Sequence, residues 1–336
     1  MEVKMKKSLK ISIALVLLIP AVILISVLSR NYTYAPNAPV QLVSIADTKA
    51  SANVPASAPI RFIVMADSRG STNGVNVAAV TKTMKAIKKL KVKPSFAMVV
   101  GDLISGSKSG KTTLLQLKSF EKLATKYYPE SFFFPGVGNH EVVSGKSGET
   151  SFAKVFNKFN GKSFLAGYNR SVYYFDKGNS RFFMLNSDHP GEIGKISDRQ
   201  LEWLKKNINP NSKNNFFFFH EPAFPTGPHI GSSLDKYPAQ RDKLWEIIDA
   251  STNPIVFTGH EHYYTRRHIT MSKLVYQVTS GSFGAPLNTI FRDKKDVDVP
   301  PISQYNFCVV DINEKTIDIT VYNLNGKVID SFKVAR

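Results

Sequence analysis

From Ile60 onward, short apolar runs alternate with amphipathic stretches, and most of the runs stop at a carboxylate, amide or imidazole side chain. The run 60–66 reads as a buried strand ending at Asp67. A helix follows with Val77, Val80, Met84 and Ile87 on one face and lysines on the other. The run 96–100 is a second strand, ending at Gly101-Asp102, and another helix spans about 113–127. Phe132-Phe133-Phe134 leads through a proline turn into Gly138-Asn139-His140. Segments 171–176 and 181–186 pair as a hairpin, and Ser197-Asp198-Arg199-Gln200 is a capping box opening a helix that buries Leu201, Leu204 and Ile208. The apolar run 216–219 ends at His220; a helix around Leu244, Ile247 and Ile248 precedes the strand 255–257, which ends at Gly259-His260. The last third predicts strands at 273–279, 305–312 and 316–322, then an Asn325-Gly326 turn before 328–334.

This alternation, with strand-only stretches, predicts an α/β fold of two packed mixed sheets flanked by helices, in one domain over residues 60–336. Polar residues at the carboxyl ends of strands stand where such sheets place their sites.

Ahead of that domain the pattern changes. Lys4, Lys6, Lys7 and Lys10 precede an uncharged apolar stretch from Ile11 to Leu28. Residues 1–30 therefore read as an N-terminal membrane anchor, with a cleaved signal peptide as the alternative. The basic flank stays in the cytoplasm, so the remainder is expected on the extracytoplasmic side. Residues 31–59, rich in Pro, Ala, Ser and Asn, read as a flexible tether.

The chain has 336 residues, 43% of them hydrophobic, enough for a substantial core. Its one cysteine, Cys308, excludes an internal disulfide. A formal charge of +18 suits an anionic partner: a membrane surface, a wall polymer, nucleic acid or a phosphorylated substrate. Scattered lysines on a solvated surface account for the same number, because no basic run is long enough to be a binding tail.

The chemistry is carried by Asp67-Ser68-Arg69, Gly101-Asp102, Gly138-Asn139-His140-Glu141, His220-Glu221-Pro222 and Gly259-His260-Glu261-His262, with Asn186-Ser187-Asp188-His189 between. Taken singly, Asp67, Asp102 and Asn139 are turn residues and His220 is a hydrogen-bonded core histidine. Taken in order, carboxylates, an amide and imidazoles suit a pair of first-row metal ions, which can clamp a phosphoryl group. Asp102 is the bridging candidate, Asp67 a terminal carboxylate, Asn139 an amide ligand, and His220, His260 and His262 the imidazoles. His260 and His262 stand two apart, so they share one face if extended, or reach separate metals from a tight loop. His140 suits a general acid, with Glu141 orienting it through its other ring proton. His189 is a candidate substrate contact.

These motifs resemble the calcineurin-like metallophosphoesterases, whose pattern is Asp-x-His, Gly-Asp, Gly-Asn-His-Asp/Glu, a lone His and Gly-His-x-His. The later blocks, including Gln200-Leu201-Glu202-Trp203-Leu204 and Ser280-Gly281-Ser282-Phe283-Gly284, are similar to the purple acid phosphatase branch. The resemblance implies a β-sandwich flanked by helices. It implies a first metal on Asp67 and His262, a bridge at Asp102, and a second metal on Asn139, His220 and His260. His140 would protonate the leaving group or hold a phosphate oxygen. One or two divalent ions (Mn, Fe or Zn) are implied as cofactors, with hydrolysis by in-line attack of a metal-bound hydroxide.

The chain departs from the pattern once. Arg69 replaces the histidine of Asp-x-His, and Ser105 stands where the purple acid phosphatases place a tyrosine. The expectation is a labile first metal site, with Arg69 gripping the phosphate; the alternative is an Arg69 that points outward. The expected function is a metal-dependent phosphoesterase acting on phosphate monoesters or diesters of a small molecule or polymer. Its rivals are a phosphodiesterase or nuclease, which is less favoured, and a degenerate metal-binding protein without activity.

Overall fold

The computed structural model describes residues 60–336 other than 160 and 162; the apolar segment 1–30 and the tether 31–59 lie outside the described residues. Among the described residues no helix is long and apolar enough to cross a membrane. In chain order the elements are β1 (Ile60–Met65), β2 (Arg69–Thr72), α1 (Val77–Lys89), β3 (Phe96–Val99), α2 (Gly110–Ala124), β4 (Phe133–Pro135), α3 (Lys146–Val155), β5 (Tyr173–Lys177), β6 (Ser180–Met184), α4 (Asp198–Asn207), β7 (Asn214–Phe218), α5 (Pro238–Ala250), β8 (Pro254–Thr258), β9 (Tyr264–Thr270), β10 (Leu274–Ser280), β11 (Val297–Ile302), β12 (Asn306–Ile312), β13 (Thr316–Asn323) and β14 (Val328–Ala335).

Two mixed sheets form the body, in the orders β14-β13-β12-β1-β3-β4 and β11-β9-β10-β8-β7-β6-β5. β1, β3 and β4 run parallel, and so do β6, β7, β8 and β10. Strand β7 shows why they stack. Phe216 and Phe218 alternate with Phe217, so the first two face the other sheet and the third faces the helices. Between the leaves, Phe62 of β1 meets Phe182 and Phe216 edge-on with ring centroids 5.3 Å apart, and Phe96 meets Phe182 at 5.2 Å. Burial of each such ring contributes roughly 1.5–3 kcal/mol. On the outer face of the second sheet, Leu201 and Leu204 of α4 and Leu244, Trp245 and Ile248 of α5 cover Phe183 and Phe217.

The two-sheet sandwich with flanking helices is as the sequence predicts. Two local expectations are corrected. Val77, placed on the buried face of α1, is 40% exposed because it opens the helix, where Ala79 and Thr83 take the inner positions. The box at Ser197 is half formed: its hydroxyl accepts from the Gln200 N–H, but the Gln200 side chain turns away to bond both backbone groups of Asn186.

Candidate metal centre

Because β1, β3 and β4 are parallel, Asp67, Asp102 and Gly138-Asn139-His140 emerge at one edge; His220 after β7 and Gly259–His262 after β8 emerge likewise from the other sheet. Backbone bonds lock the ends together. The Asp67 N–H donates to Gly101 O (3.1 Å) and the Gly259 N–H to His220 O (3.0 Å). Nδ1–H of His220 donates across the sandwich to Val100 O at 2.8 Å. The motif glycines are there for space. A Cβ on Gly259 would lie 2.5 Å from Asp67 Oδ2, and one on Gly138 would lie 2.4 Å from Asp102 Oδ1. Asp67, Asp102, His260 and His262 all have left-handed backbone, with φ of 64°, 52°, 73° and 53°. Such strain costs roughly 1–3 kcal/mol per residue and collects at functional sites.

Five of the six ligand candidates approach one another, and Asn139 lies in the chain beside His140, whose N–H donates to Asp102 Oδ1 at 3.0 Å. One ligand atom each from Asp67, Asp102 and His262 lies within 4.8 Å of the others. Nε2 of His262 is 3.5 Å from Asp67 Oδ1, and Nδ1–H of His262 donates to Pro286 O at 2.9 Å, so the inward nitrogen keeps its lone pair. Nε2 of His220 lies 3.4 Å from Asp102 Oδ1 and 3.3 Å from Nδ1 of His260. Oδ1 of Asp67 and Oδ1 of Asn139 are buried without hydrogen-bond partners. Buried acceptors without donors, beside imidazoles tied outward to backbone carbonyls, fit the divalent ions such a donor set attracts. His260 faces His220 while His262 faces Asp67, so the two histidines serve different sides of the centre.

The electrostatics agree with that fit. Burial, then the charge of His220, holds the His260 imidazole well below its usual range. Burial, then Arg69, pushes His262 down to about 4. Both are therefore neutral and ligand-ready at ordinary pH. Burial alone would lower His220, but Asp102 and Asp67 outweigh it and hold it well above 6.5. Here a proton on His220 compensates the paired carboxylates, a task that cations would take over.

Glu141 does not orient His140, contrary to the sequence expectation. Its carboxylate accepts the backbone N–H groups of Asp102 (2.9 Å) and Gly138 (2.8 Å), pinning two ligand loops together. His140 is oriented by Ser105, whose carbonyl accepts Nδ1–H at 2.6 Å, leaving Nε2 3.8 Å from Asp102 Oδ2. Burial, then Asp102, pushes the Glu141 carboxyl up to about 8 from 4.5. An acid with a raised pKa stays protonated in the fold while the unfolded chain ionises, so its contribution to stability falls as pH rises through that window. In metal-free protein, the melting temperature of Glu141→Gln should decline less steeply than that of wild type between about pH 4.5 and 8. Parallel declines would mean that the buried group is already ionised.

Arg69 points inward. Its Nη2 lies 3.4 Å from His262 Nε2 and its Nε lies 3.8 Å from Asp102 Oδ2. His189 shares no hydrogen bond with the six; its Nδ1 lies 2.8 Å from Glu149 Oε1 and its ring packs on Tyr168. Two participants escaped the sequence reading. His229 stacks on His260 with centroids 3.9 Å apart, and its Nδ1 is buried without a partner. It sits in a Gly-Pro loop with no periodic signal. Glu261, between the paired histidines, accepts from Thr226 and Gly227 N–H at 2.7 and 3.0 Å, fixing the His229 loop to the His260–His262 loop.

A sandwich whose strand ends gather this cluster is the metallophosphoesterase fold. Residues 60–264 match the calcineurin-like phosphoesterase family, and the chain belongs to it. No curated protein matches the chain. Among solved structures, a purple acid phosphatase, PPD1, from yellow lupin (Lupinus luteus) seeds aligns with a TM-score of 0.67 at 16% identity, covering 83% of this chain and 54% of that one. This chain thus spans about half the length of that phosphatase. GAP50, described as the anchor in the inner membrane complex of Plasmodium, aligns at 0.62 and 15% identity over 83% and 89% of the two chains. PhoD aligns at 0.58 and 15% identity over 84% and 73%. At these identities the likeness is one of fold.

Proposed function

We propose that this chain is a metal-dependent hydrolase of phosphate monoesters or diesters, working on the extracytoplasmic side of a membrane. The observation that carries the reading is the approach of the unpartnered Asp67 Oδ1 to the imidazoles of His262 (3.5 Å) and His220 (4.0 Å), whose second nitrogens are bonded to backbone carbonyls. Asp67, Asp102 and His262 would hold one divalent ion; Asp102, Asn139, His220 and His260 would hold another. Such ions supply Lewis acidity toward a phosphoryl oxygen and acidify a water. Of the remaining groups, Arg69 places a guanidinium beside Asp102 and His262, suited to equatorial phosphoryl oxygens. His140 presents Nε2 to the leaving group, and His229, lowered by burial, offers a neutral imidazole at the mouth. The sequence supports the extracytoplasmic side through its basic flank and the apolar stretch 11–28.

The test is a panel of a monoester, a bis-ester and single-stranded DNA assayed against added Mn²⁺, Fe²⁺ and Zn²⁺; turnover confined to DNA would instead favour a nuclease. Arg69→Ala should lower kcat/KM on a soluble monoester about 10- to 100-fold, as loss of a charge-assisted contact does, without lowering metal content. Unchanged kcat/KM would remove Arg69 from substrate binding. Metal analysis of the wild type should find fewer than two tightly held ions per chain, since Arg69 stands where the family supplies a histidine.

A second reading, a metal-binding protein without activity, is favoured by the 3.4 Å approach of Arg69 to His262. The fold also carries a protein described as a membrane-complex anchor, so hydrolysis does not follow from fold alone. Turnover of any substrate in the panel decides against it.

A further inference from the structure

Residues 281–296, between β10 and β11, form a long connection without helix or strand, a kind of segment that is usually functional. Its inner side builds the centre. The Ala285 N–H donates to Asp67 O (2.7 Å), Pro286 O accepts from the His262 ring, and the Asn288 N–H donates to His262 O (3.1 Å). Its outer side is apolar and basic. Leu287 and Ile290 are 39% and 41% exposed, and Lys294 lies over the half-buried ring of Phe291 at 5.8 Å. Arg292 and Lys294 are exposed, while Asp293 is paired with Arg267 at 3.0 Å, which leaves the tip cationic.

Exposed aliphatic residues also occur on neighbouring loops. The Ile290 carbonyl abuts Gly227, whose own carbonyl accepts the N–H of Ile230, 38% exposed and next to His229. Val143, 44% exposed, packs against Gly106 beside His140. Leu287, Ile290, Ile230 and Val143 thus stand exposed on loops that also carry or adjoin residues of the centre.

We propose that this loop docks the mouth of the metal centre on an anionic lipid bilayer, so that the ester it meets is a lipid phosphoester. Leu287, Ile290 and Ile230 enter the headgroup–acyl boundary while Arg292 and Lys294 meet lipid phosphates. The charge of +18 and the apolar stretch 11–28 suit the same surface. The substrate class rests on the hydrolase reading; the docking does not.

The chain's one cysteine, Cys308, is fully buried, so Ile290→Cys in the full chain offers a selective position for an environment-sensitive fluorophore. Vesicles of phosphatidylcholine with phosphatidylglycerol should shift its emission to the blue, reversibly by salt, and vesicles of phosphatidylcholine alone should not. A label that stays in water on the anionic vesicles overturns the proposal. So does an equal shift on both vesicles, which assigns binding to the apolar stretch alone, or a vesicle-free shift that grows with protein concentration, which assigns the patch to a second copy. With phosphatidic acid in the anionic vesicles, Leu287→Ser with Ile290→Ser should cut turnover about tenfold or more while p-nitrophenyl phosphate hydrolysis is unchanged. Equal losses on both substrates overturn the lipid assignment. Absence of all hydrolysis with a label that still inserts would instead sink the hydrolase reading and leave the docking standing.

Discussion

Asp102→Asn should lower phosphoester turnover about a thousandfold and strip the protein of bound cation, while leaving it folded. Asp102 is the one residue common to both halves of the centre. It belongs to the carboxylate–imidazole group with Asp67 and His262, and it lies 3.4 Å from His220 Nε2 on the other side. Asparagine has the same shape and keeps an oxygen for the His140 N–H, which donates to Asp102 Oδ1 at 3.0 Å. What is lost is the negative charge with which Asp102 would hold divalent cations at this centre. Metal analysis and turnover should therefore collapse together, with the far-ultraviolet circular dichroism unchanged. Retained metal and activity would show that the bridge lies elsewhere.

His140→Asn should dissociate those two readouts. No ligand role falls to His140. Its ring is held by Ser105 O at 2.6 Å, which leaves Nε2 3.8 Å from Asp102 Oδ2. Cation content should be retained, whereas kcat on an ester with a poor leaving group should fall about 10²- to 10⁴-fold, the range for loss of a positioned general acid. An ester of p-nitrophenol, whose anion departs without help, should suffer much less. An equal fall on both esters would reassign His140 to phosphate binding. No fall on the alkyl ester would remove the acid role from His140.

The placement of the six ligand candidates beyond strand ends was legible in the sequence because continuous apolar runs mark the strands, and parallel strands deliver their carboxyl ends to one edge. The sandwich was legible for the same reason: residues 62–65 of β1, 216–218 of β7 and 255–257 of β8 are buried on both faces and read as apolar runs. What escaped lacks that signal. In β9, Arg266, Arg267 and His268 interrupt the alternation because they pair with Asp330, Asp293 and Asp298. In β11 the prolines at 300 and 301 argue against a strand, and the structure accommodates them at the sheet edge. Helix α3 buries Glu149 and Ser151 instead of a full apolar stripe, since Glu149 accepts from Asn169, Asn186 and the His189 ring. The left-handed backbone at Asp67, Asp102, His260 and His262 falls on residue types that tolerate it better than most, but the type alone does not mark these positions among the other Asp and His residues. Glu141 was misassigned on adjacency. Next to His140 in sequence, it turns inward to three backbone N–H groups, the third being that of Ile104 at 3.3 Å.

Chelation followed by restoration tests the central claim most directly. Protein stripped of metal and assayed on p-nitrophenyl phosphate should be inactive, and adding back Mn²⁺, Fe²⁺ or Zn²⁺ singly should return turnover with at least one of them. Hydrolysis that survives stripping, or protein that stays inert with every one of those ions, would contradict a catalytic metal centre built from Asp67, Asp102, Asn139, His220, His260 and His262.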